Sequence, residues 1–477
     1  MSDRPSAPNI VQIVADDLGF GDLGHLNGGR TYTPAISQLA ADGLTLAQHY
    51  SASPVCAPAR AALLTGRYPQ RSGAVDTLQT RGLDRVATTE VTIADYLGRV
   101  GYRTGYVGKW HSGAIDDRYH PLRRGFDEFV GFRSGWQDYF NWKLESQRTA
   151  HPSDGRYLTH VLADAAVDFV RRERDRPFYL QVAFNAPHGP FQAPDEAIRA
   201  VANGHRYTTA VRTIYAMVNE LDRAVERILD GLSEVGLDSR TIVMFTSDNG
   251  PWFGGEGDSC VTRFNCDLNG SKMFVLEGGI KVPMILRWPG VVGPGSSDST
   301  MVHMTDWLPT LCGWAGYHGP WEQPLDGVDI GETLTTGRLS GAHTDTRFWQ
   351  WNRYTPVMRC NAAMREGDWK LVYPAIEDEM VLAEEPDRFD DRLYTAHPEE
   401  LTSIVTRPTL ISQRARSARY EEDKVVPLLF NLSTDPGELH DLTVEQPVRV
   451  SRMKNALEAW FADVDGDRIL AQRETLR

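Results

Sequence analysis

Apolar segments of strand length alternate with helical segments through the first three quarters of this chain. Residues 9–15, 102–107, 177–184 and 241–246 form apolar runs, and residues 282–288 continue the series. Continuous apolar runs are typical of strands that are covered by helices on both faces of a parallel sheet. The pattern therefore predicts an α/β fold with a large mixed, mainly parallel sheet between two helical layers.

The intervening segments carry helical spacing. We expect helices over residues 34–43, 60–64, 92–100 and 206–235. Gly101 and Gly236 follow the last two of these segments directly, and glycine at this place is typical of a helix end.

Beyond about residue 345 the pattern changes to short aromatic and β-branched runs, FWQWNRY, AAMREGDWKLVY and PLLFNLS. These predict a small antiparallel sheet, and helical spacing over residues 448–461 predicts a closing helix. The charge-rich residues 377–424 are expected to form a surface insertion. We therefore expect two domains, a larger one over residues 1–345 that would carry the function and a smaller α+β domain over residues 346–477.

The charge balance restricts the partners of this chain. It carries 64 acidic and 50 basic residues among 477, a net charge of −14, which argues against a nucleic-acid binder. Because the whole chain is negatively charged, an anionic ligand would have to be held by lysine or arginine side chains close to its binding site. No stretch of about twenty apolar residues predicts a membrane helix. The chain is expected to be cytoplasmic, although an exported mature form would have the same composition.

Five cysteines do not suggest a disulfide framework or a zinc site, because no C-x-x-C pair is present. Cys260 and Cys266 flank a polar loop and can pair there. Reduced thiols are the expected state in a reducing compartment.

Cys56 opens the run Cys-Ala-Pro-Ala-Arg, which is followed by residues that favour helix. Pro58 suits a first helical turn, so Cys56 is expected at a helix N-terminus, where free backbone amides attract anions. Arg60, one turn later, adds a fixed positive charge. A buried structural cysteine at a helix start fits this run equally well.

Oxygen-bearing side chains follow two of the predicted strands. Asp16 and Asp17 come after the first strand, and Asp248 and Asn249 come after the strand at 241–246. Parallel strands would bring both pairs to one sheet edge, as a hard oxygen-donor set suited to Ca²⁺ or Mg²⁺. Taken alone, each pair is also a common turn sequence.

Four further polar residues lie in predicted loops after strands: Lys109, His111, His188 and Lys272. Lys109 and His111 stand two positions apart and would face the same side of an extended segment. On residue type alone, a single lysine or histidine in a loop is more often solvated than functional.

Several segments of this chain together resemble the type I sulfatases of the alkaline phosphatase superfamily. The matching segments are CAPARAALLTGR, VADDLGFGDLG, GYRTGYVGKWHSG, APHGP, TSDNGPW and LNGSKMFVLEGGIKVPMILRWPG. They follow the family's order and spacing over residues 8–312, and REGDWKLVY and LFNLSTDPGELHDL match more weakly. The resemblance implies an arylsulfatase-like hydrolase that converts sulfate esters to an alcohol and inorganic sulfate, on an alkaline-phosphatase-like fold.

The resemblance also implies the cofactors. Cys56 corresponds to the cysteine that a formylglycine-generating enzyme oxidises to the catalytic aldehyde. Asp16, Asp17, Asp248 and Asn249 match the family's calcium ligands, with the matured residue 56 beside them and magnesium as an alternative ion.

The remaining motif residues receive roles from the same resemblance. Arg60 would orient the hydrated aldehyde, while Lys109 and Lys272 would neutralise charge on the sulfate. His188 would protonate the departing alcohol, and His111 would take the proton that releases sulfate.

Two positions depart from the family's pattern, and the segment HMTDWLPTL is expected to be structural. Ala59 stands where the family often has serine, and Lys281 stands where arginine is usual, which suggests a structural role. Asp306 or Thr305, in HMTDWLPTL, is expected to cap a helix.

Two alternatives stay open on sequence grounds. A phosphodiesterase or phosphonate hydrolase shares the scaffold, but those relatives commonly carry histidine where this chain has Asn249. A non-catalytic binder of sulfated glycans is the other alternative.

The sequence suggests a sulfated carbohydrate as the substrate, with aryl sulfates as surrogates. Trp136, in an aromatic and arginine-rich region at 118–154, and Trp351 are candidate sugar contacts. Aromatic residues at such spacing also occur in hydrophobic cores. The sequence carries no signal for the oligomeric state.

Overall fold

The computed structural model describes residues 7–173, 175–201, 207–254, 260–338, 343–382 and 425–475. The strands in this part of the chain are β1 (Asn9–Ala15), β2 (Leu44–Leu46), β3 (His49–Tyr50), β4 (Arg103–Lys109), β5 (Glu128–Phe132), β6 (Lys143–Ser146), β7 (Thr149–Pro152), β8 (Phe178–Ala183), β9 (Thr241–Ser247), β10 (Met284–Arg287), β11 (Ser296–Asp298), β12 (Val302–His303), β13 (Thr346–Gln350), β14 (Ala362–Glu366), β15 (Trp369–Tyr373) and β16 (Leu428–Asn431).

The helices are α1 (Pro34–Ala41), α2 (Cys56–Thr65), α3 (Pro69–Ser72), α4 (Ile93–Arg99), α5 (Leu158–Arg172), α6 (Asp195–Ala200), α7 (Thr209–Glu234), α8 (Glu277–Ile280), α9 (Trp307–Trp314), α10 (Gly331–Thr336), α11 (Glu377–Met380) and α12 (Pro447–Thr475). Single 3-10 turns lie at Phe20–Asp22, Asp117–Tyr119, Pro121–Arg123, Asp238–Arg240 and Met304–Asp306. None of the helices described is both long and apolar enough to cross a bilayer.

A ten-stranded sheet forms the centre of the molecule, in the order β11-β2-β10-β9-β1-β8-β4-β5-β6-β7. The neighbours β9, β1, β8, β4 and β5 are all parallel. Strand β10 runs antiparallel to β9, and β6 and β7 extend the other end as an antiparallel pair. The predicted mixed, mainly parallel sheet is confirmed.

Helices cover both faces of this sheet, as the alternating side chains of β1 show. Ile10 and Val14 lie in one core, which includes residues of α2, α4 and α9. Val11 and Ile13 lie in the other core, with residues of α5 and α7. Both sets are fully buried, which explains the continuous apolar sequence of the central strands.

Helix α7 shows how the predicted helix ends compare with the structure. Its N-terminus is capped by the Thr208 side chain, which accepts a hydrogen bond from the Val211 N–H. Gly236, just beyond the helix, has φ of +68° and takes the left-handed conformation expected of a terminating glycine. The predicted start at residue 206 lies outside the described residues.

The C-terminal part forms the predicted small sheet, with antiparallel order β13-β14-β15-β16. Helix α12 packs on it, and the rings of Phe348 and Trp460 stack with centroids 5.2 Å apart. This helix is longer than predicted. The predicted insertion is described only at its start, as α11, and residues 383–424 lie outside the described residues. The division into two domains stays a prediction.

A buried group of charges joins the small antiparallel sheet to α8, the short helix that precedes β10. Lys370 on β15 contacts Glu277 at 2.9 Å and Glu438 at 2.8 Å, and all three side chains are at most 3% exposed. The Tyr50 hydroxyl donates to Glu277 at 2.7 Å. Burial raises the pKa of Glu438 to about 7, although Lys370 opposes the rise. Lys370 therefore contacts both buried carboxyl groups, and Arg365 and Lys281 add to its effect on Glu277.

Replacement of this lysine tests the link. We expect Lys370→Met to lower the free energy of unfolding by about 3–5 kcal/mol, because both acids lose their buried cation. Denaturant unfolding measures the change. Lys454→Met, at a partly exposed position on α12, is the matched control and should cost less than about 1 kcal/mol. Equal effects of the two substitutions would contradict the assigned role.

Candidate active site

The candidate residues meet at the carboxyl ends of four adjacent parallel strands. Asp16 and Asp17 follow β1, Asp248 and Asn249 follow β9, and Lys109 ends β4. His188 follows β8, which lies between β1 and β4 in the sheet. Open α/β sheets place ligands at this edge.

Cys56 is the first residue of α2 and is 2% exposed. Arg60, one turn later, is 1% exposed and points at the carboxylates. Its Nε and Nη2 lie 2.9 and 2.7 Å from Asp248 Oδ2, and its Nη1 donates to the Lys109 carbonyl oxygen at 3.1 Å. The forked guanidinium thus fixes the loop after β9 to the end of β4.

The two lysines also contact carboxylates. Lys109 Nζ lies 2.5 Å from Asp16 Oδ2, and Lys272 Nζ lies 2.8 Å from Asp17. The Asn249 amide donates to Asp17 Oδ1 at 2.8 Å. The structure thus brings all the predicted cations and carboxylates into one buried cluster.

The donor set fits a hard divalent cation. Asp16 Oδ1 and Asn249 Oδ1 are buried and have no hydrogen-bond partner among the described residues. One oxygen each of Asp16 and Asp248 lies with the Cys56 Sγ inside a span of 4.8 Å. Buried oxygens without partners need a cation or a donor to compensate them.

A second group with the same span joins His188 to Asp16 and Asp17. The other ring nitrogen of His188, Nδ1, lies 2.6 Å from the Gly189 carbonyl oxygen. Calcium and magnesium prefer oxygen ligands. For these ions, the group with Asp248 and the oxygen of Asn249 is therefore the better fit.

The buried cluster separates the acidities of its carboxyl groups. Burial raises the pKa of Asp16 well above its usual value, and the charge of Asp248 adds to the rise. Burial also acts to raise the pKa of Asp17, but Lys272, His188 and Lys109 together outweigh it and the net shift is downward. Burial likewise acts to raise the pKa of Asp248, but Arg60, Lys109 and Lys272 together lower it.

Both candidate histidines are held neutral. Burial and the charge of Lys109 lower the pKa of His111 to about 3, and burial and Lys272 lower that of His188 to about 3. The Nε2 of His111 lies 3.3 Å from the Thr77 carbonyl oxygen. If Nε2 carries the proton for that bond, Nδ1 is the basic nitrogen. Within the described structure Nδ1 has no hydrogen-bond partner.

Two of these residues have left-handed backbones. Asp17 has φ of +62° and His111 has φ of +46°. Non-glycine residues seldom adopt this region, and those that do are concentrated at functional sites. The turn at His111 replaces the extended segment that we predicted, in which Lys109 and His111 would share a side.

Close packing of two glycine-containing loops positions Lys272. Its N–H donates to the Pro251 carbonyl oxygen at 3.0 Å, and the Gly250 N–H donates to Gly279 at 2.9 Å. A Cβ on Gly250 would lie 2.0 Å from the Gly278 carbonyl oxygen. Only glycine permits the loop of Lys272 to approach the loop of Asn249 this closely.

A cavity of about 320 Å³ opens onto this cluster. Lys272 and both histidines line it, together with Trp136, whose contact with a sugar stays a prediction. Trp351 does not line it. This side chain is 1% exposed and packs against Val55 and Met380, so the expected sugar contact is corrected to a core position.

Sequence reasoning missed other residues of the cavity wall: Thr77, Phe191, Trp252 and Arg353. Trp252 directly follows the Asp-Asn-Gly-Pro turn and could have been found from that proximity. Arg353 follows β13 and has no local motif, so only the tertiary fold reveals it.

The positions outside the cavity agree with structural roles. Lys281 Nζ lies 5.5 Å from the centre of the Phe20 ring. The Asp306 side chain accepts the His303 N–H at 2.8 Å, within the capping box of the 3-10 turn Met304–Asp306, and pairs with Arg347 at 2.7 Å. Asp306 is the N-cap residue of α9, but its side chain makes no capping hydrogen bond there, so the predicted helix cap is corrected. Cys260 and Cys266 do not form a disulfide.

Comparison with known proteins identifies the family. The family model described as Sulfatase matches residues 8–317. Steryl-sulfatase of Mus musculus is 30% identical over 542 residues, which cover 95% of this chain and 81% of the relative. N-acetylgalactosamine-6-sulfatase of Rattus norvegicus is 33% identical over 368 residues, covering 70% and 67%.

A solved structure extends the similarity to the fold. The crystal structure of Ps i-CgsB in complex with k-i-k-neocarrahexaose superimposes with a TM-score of 0.78 at 29% identity. The match covers 95% of this chain and 93% of that chain.

Fold, site and relatives together define a hydrolase of sulfuric esters. The chain belongs to the sulfatase family. The relatives favour sulfate esters over the phosphodiester and phosphonate alternative, and an enzyme over a non-catalytic binder.

Proposed function

We propose that this sulfatase removes sulfate from carbohydrates with a formylglycine made from Cys56 and a bound calcium ion. The arrangement that carries the proposal is the Cys56 Sγ within 4.8 Å of carboxylate oxygens of Asp16 and Asp248, beside buried oxygens of Asp16 and Asn249 that accept no hydrogen bond from the described residues. Cys56 Sγ stands here for the oxygen of the matured residue.

The two groups supply different chemistry. Formylglycine supplies a hydrated aldehyde as nucleophile, and a divalent cation supplies polarisation of that hydroxyl and of the sulfate oxygens. Asp16, Asp17, Asp248 and Asn249 hold the ion. Their oxygens favour calcium, or magnesium, over zinc. Oxidation of the thiol requires a separate maturation enzyme.

Lys109 and Lys272 place fixed positive charge beside the carboxylates and the cavity. They neutralise the charge that develops on the sulfate oxygens during attack. Arg60 keeps the Asp248 carboxylate in position through its two short contacts, and in this arrangement it supports the orientation of residue 56.

His188 gives a proton to the departing alcohol. Its low pKa is caused by burial and by the charges of Lys272 and Lys109, and an anionic sulfate bound beside the lysines offsets the effect of these charges. His111 accepts the proton that accompanies sulfate release, because its Nδ1 is available as an acceptor.

The carbohydrate assignment rests on the cavity and on the relatives. Trp136, Phe191 and Trp252 place aromatic rings in the cavity wall, where a sugar can stack, and Lys272 supplies positive charge. This mixture suits a polar anionic sugar better than a steroid. One relative is an N-acetylgalactosamine-6-sulfatase, and one similar structure holds a neocarrahexaose. The cytoplasmic location stays a prediction.

Maturation of Cys56 is the first test. Active protein is expected to carry an aldehyde at position 56, because a plain thiol cannot form the hydrated nucleophile. Peptide mass spectrometry and sulfate release are measured on the same preparation, with the Cys56→Ala variant as the inactive control. Full activity in protein whose Cys56 is entirely a thiol would refute the mechanism.

The metal assignment predicts about one calcium ion per chain in purified protein, detected by elemental analysis. Asn249→Ala should lower calcium content and reduce kcat/KM at least about 10-fold, because it removes an oxygen ligand. Asn141→Ala, at an exposed position, is the matched control. Stoichiometric zinc, or undiminished activity in Asn249→Ala, would contradict the assignment.

The substrate assignment predicts sulfate release from sulfated saccharides, with aryl sulfates hydrolysed as surrogates. Trp136→Ala should raise KM for the saccharide about 3- to 10-fold through loss of stacking. Trp314→Ala, whose ring packs on Trp288 rather than in the cavity, is the control. Hydrolysis limited to aryl sulfates across a broad saccharide panel would overturn the assignment.

A further inference from the structure

Arg353 brings a positive charge from the C-terminal part of the chain into the wall of the cavity. It lies three residues beyond β13, and it lines the same cavity as His111, His188 and Lys272. Its side chain is 16% exposed. No sequence motif of the reaction includes this arginine, and the roles proposed above do not use it.

The guanidinium is held in place before any ligand binds. Its Nη1 donates to Asp76 Oδ1 at 2.9 Å and to Thr77 Oγ1 at 3.0 Å. Its Cζ lies 5.1 Å from the centre of the Trp351 ring, and its backbone N–H donates to Glu379 at 2.9 Å. Such preorganisation reduces the entropy lost when an arginine binds a ligand.

Asp76 compensates this charge only in part. The side chain of Asp76 is fully buried, and it also accepts the Thr77 N–H at 2.7 Å and the Tyr354 N–H at 3.0 Å. The acceptor capacity of Asp76 is thus shared between the guanidinium and two backbone N–H groups. The arginine side chain is 16% exposed and lines the cavity, so its positive charge stays accessible to a ligand there.

Thr77 connects this arginine to the reaction centre. Its hydroxyl accepts from Arg353, while its carbonyl oxygen lies 3.3 Å from His111 Nε2. Thr77 therefore lies between Arg353 and His111, the proposed proton acceptor. A group bound by Arg353 would belong to the same saccharide as the scissile sulfate.

We propose that Arg353 binds a second anionic group of the substrate, a sulfate ester or a carboxylate next to the sulfate that is removed. An arginine fork matches the paired oxygens of both groups. The inference rests on the proposed carbohydrate substrate and specifies it further. The preferred substrate is a saccharide with two neighbouring negative charges.

The experiment compares kcat/KM for three saccharide sulfates: a monosulfated neutral sugar, a disulfated sugar and a monosulfated sugar joined to a uronate. Wild-type enzyme should prefer at least one of the doubly anionic substrates by about 10- to 100-fold, as expected for a charge-assisted hydrogen bond. The disulfated and uronate substrates distinguish the two sources of the second charge.

Arg353→Met should abolish this preference through a higher KM for the doubly anionic substrate, while kcat/KM for the monosulfated neutral sugar changes less than about threefold. Arg353→Lys should retain part of the preference. Arg359→Met is the matched control, because Arg359 contacts Glu458 at 2.8 Å rather than the cavity. It should leave the preference unchanged.

Wild-type enzyme that hydrolyses saccharide sulfates without preference for a second charge would overturn the inference, even if the Arg353 variants fail to fold. So would a preference that survives in folded Arg353→Met. Absence of activity on every saccharide would instead refute the proposed carbohydrate function.

Discussion

Compensation of buried negative charge is the constraint on which the site depends. Three carboxylates are fully buried at one sheet edge, where an unpaired charge costs several kcal/mol. Each meets a cation from a distant segment; the pairs are Asp248 with Arg60, Asp16 with Lys109, and Asp17 with Lys272. Helix α2, strand β4 and the loop before α8 are therefore fixed relative to β1 and β9 by charge as well as by packing.

The sequence predicted the parts of the fold that local pattern controls. The apolar runs of β1, β8 and β9 are buried on both faces, so their composition indicates their place. The residues after these strands converge because parallel strands share a carboxyl edge. The antiparallel direction of β10 could not be predicted, since an apolar strand has the same pattern in either direction. The left-handed backbones of Asp17 and His111 likewise have no signature in residue type.

The cavity wall shows a different limit of sequence reasoning. Of two nearby residues in one aromatic run, Trp351 packs in a core while Arg353 lines the cavity, and composition favoured the tryptophan. Which of these two side chains faces the cavity depends on long-range contacts, chiefly the ion pair of Arg353 with Asp76. The small sheet lies next to these residues and is joined to α8 through Lys370 and Glu277, so it contributes both to stability and to the ligand-facing surface.

The glycine contact between the loops of Asn249 and Lys272 has a consequence for how such an enzyme can diverge. The backbone at Gly250 and Gly278 leaves no room for even a methyl group. Single substitutions at these glycines would therefore disrupt the reaction centre rather than adjust it. Trp136 and Arg353 stand outside this contact, on the cavity wall. New substrate preferences are therefore accessible by changing the wall, whereas laboratory evolution that randomises the glycine loops should return mostly inactive clones.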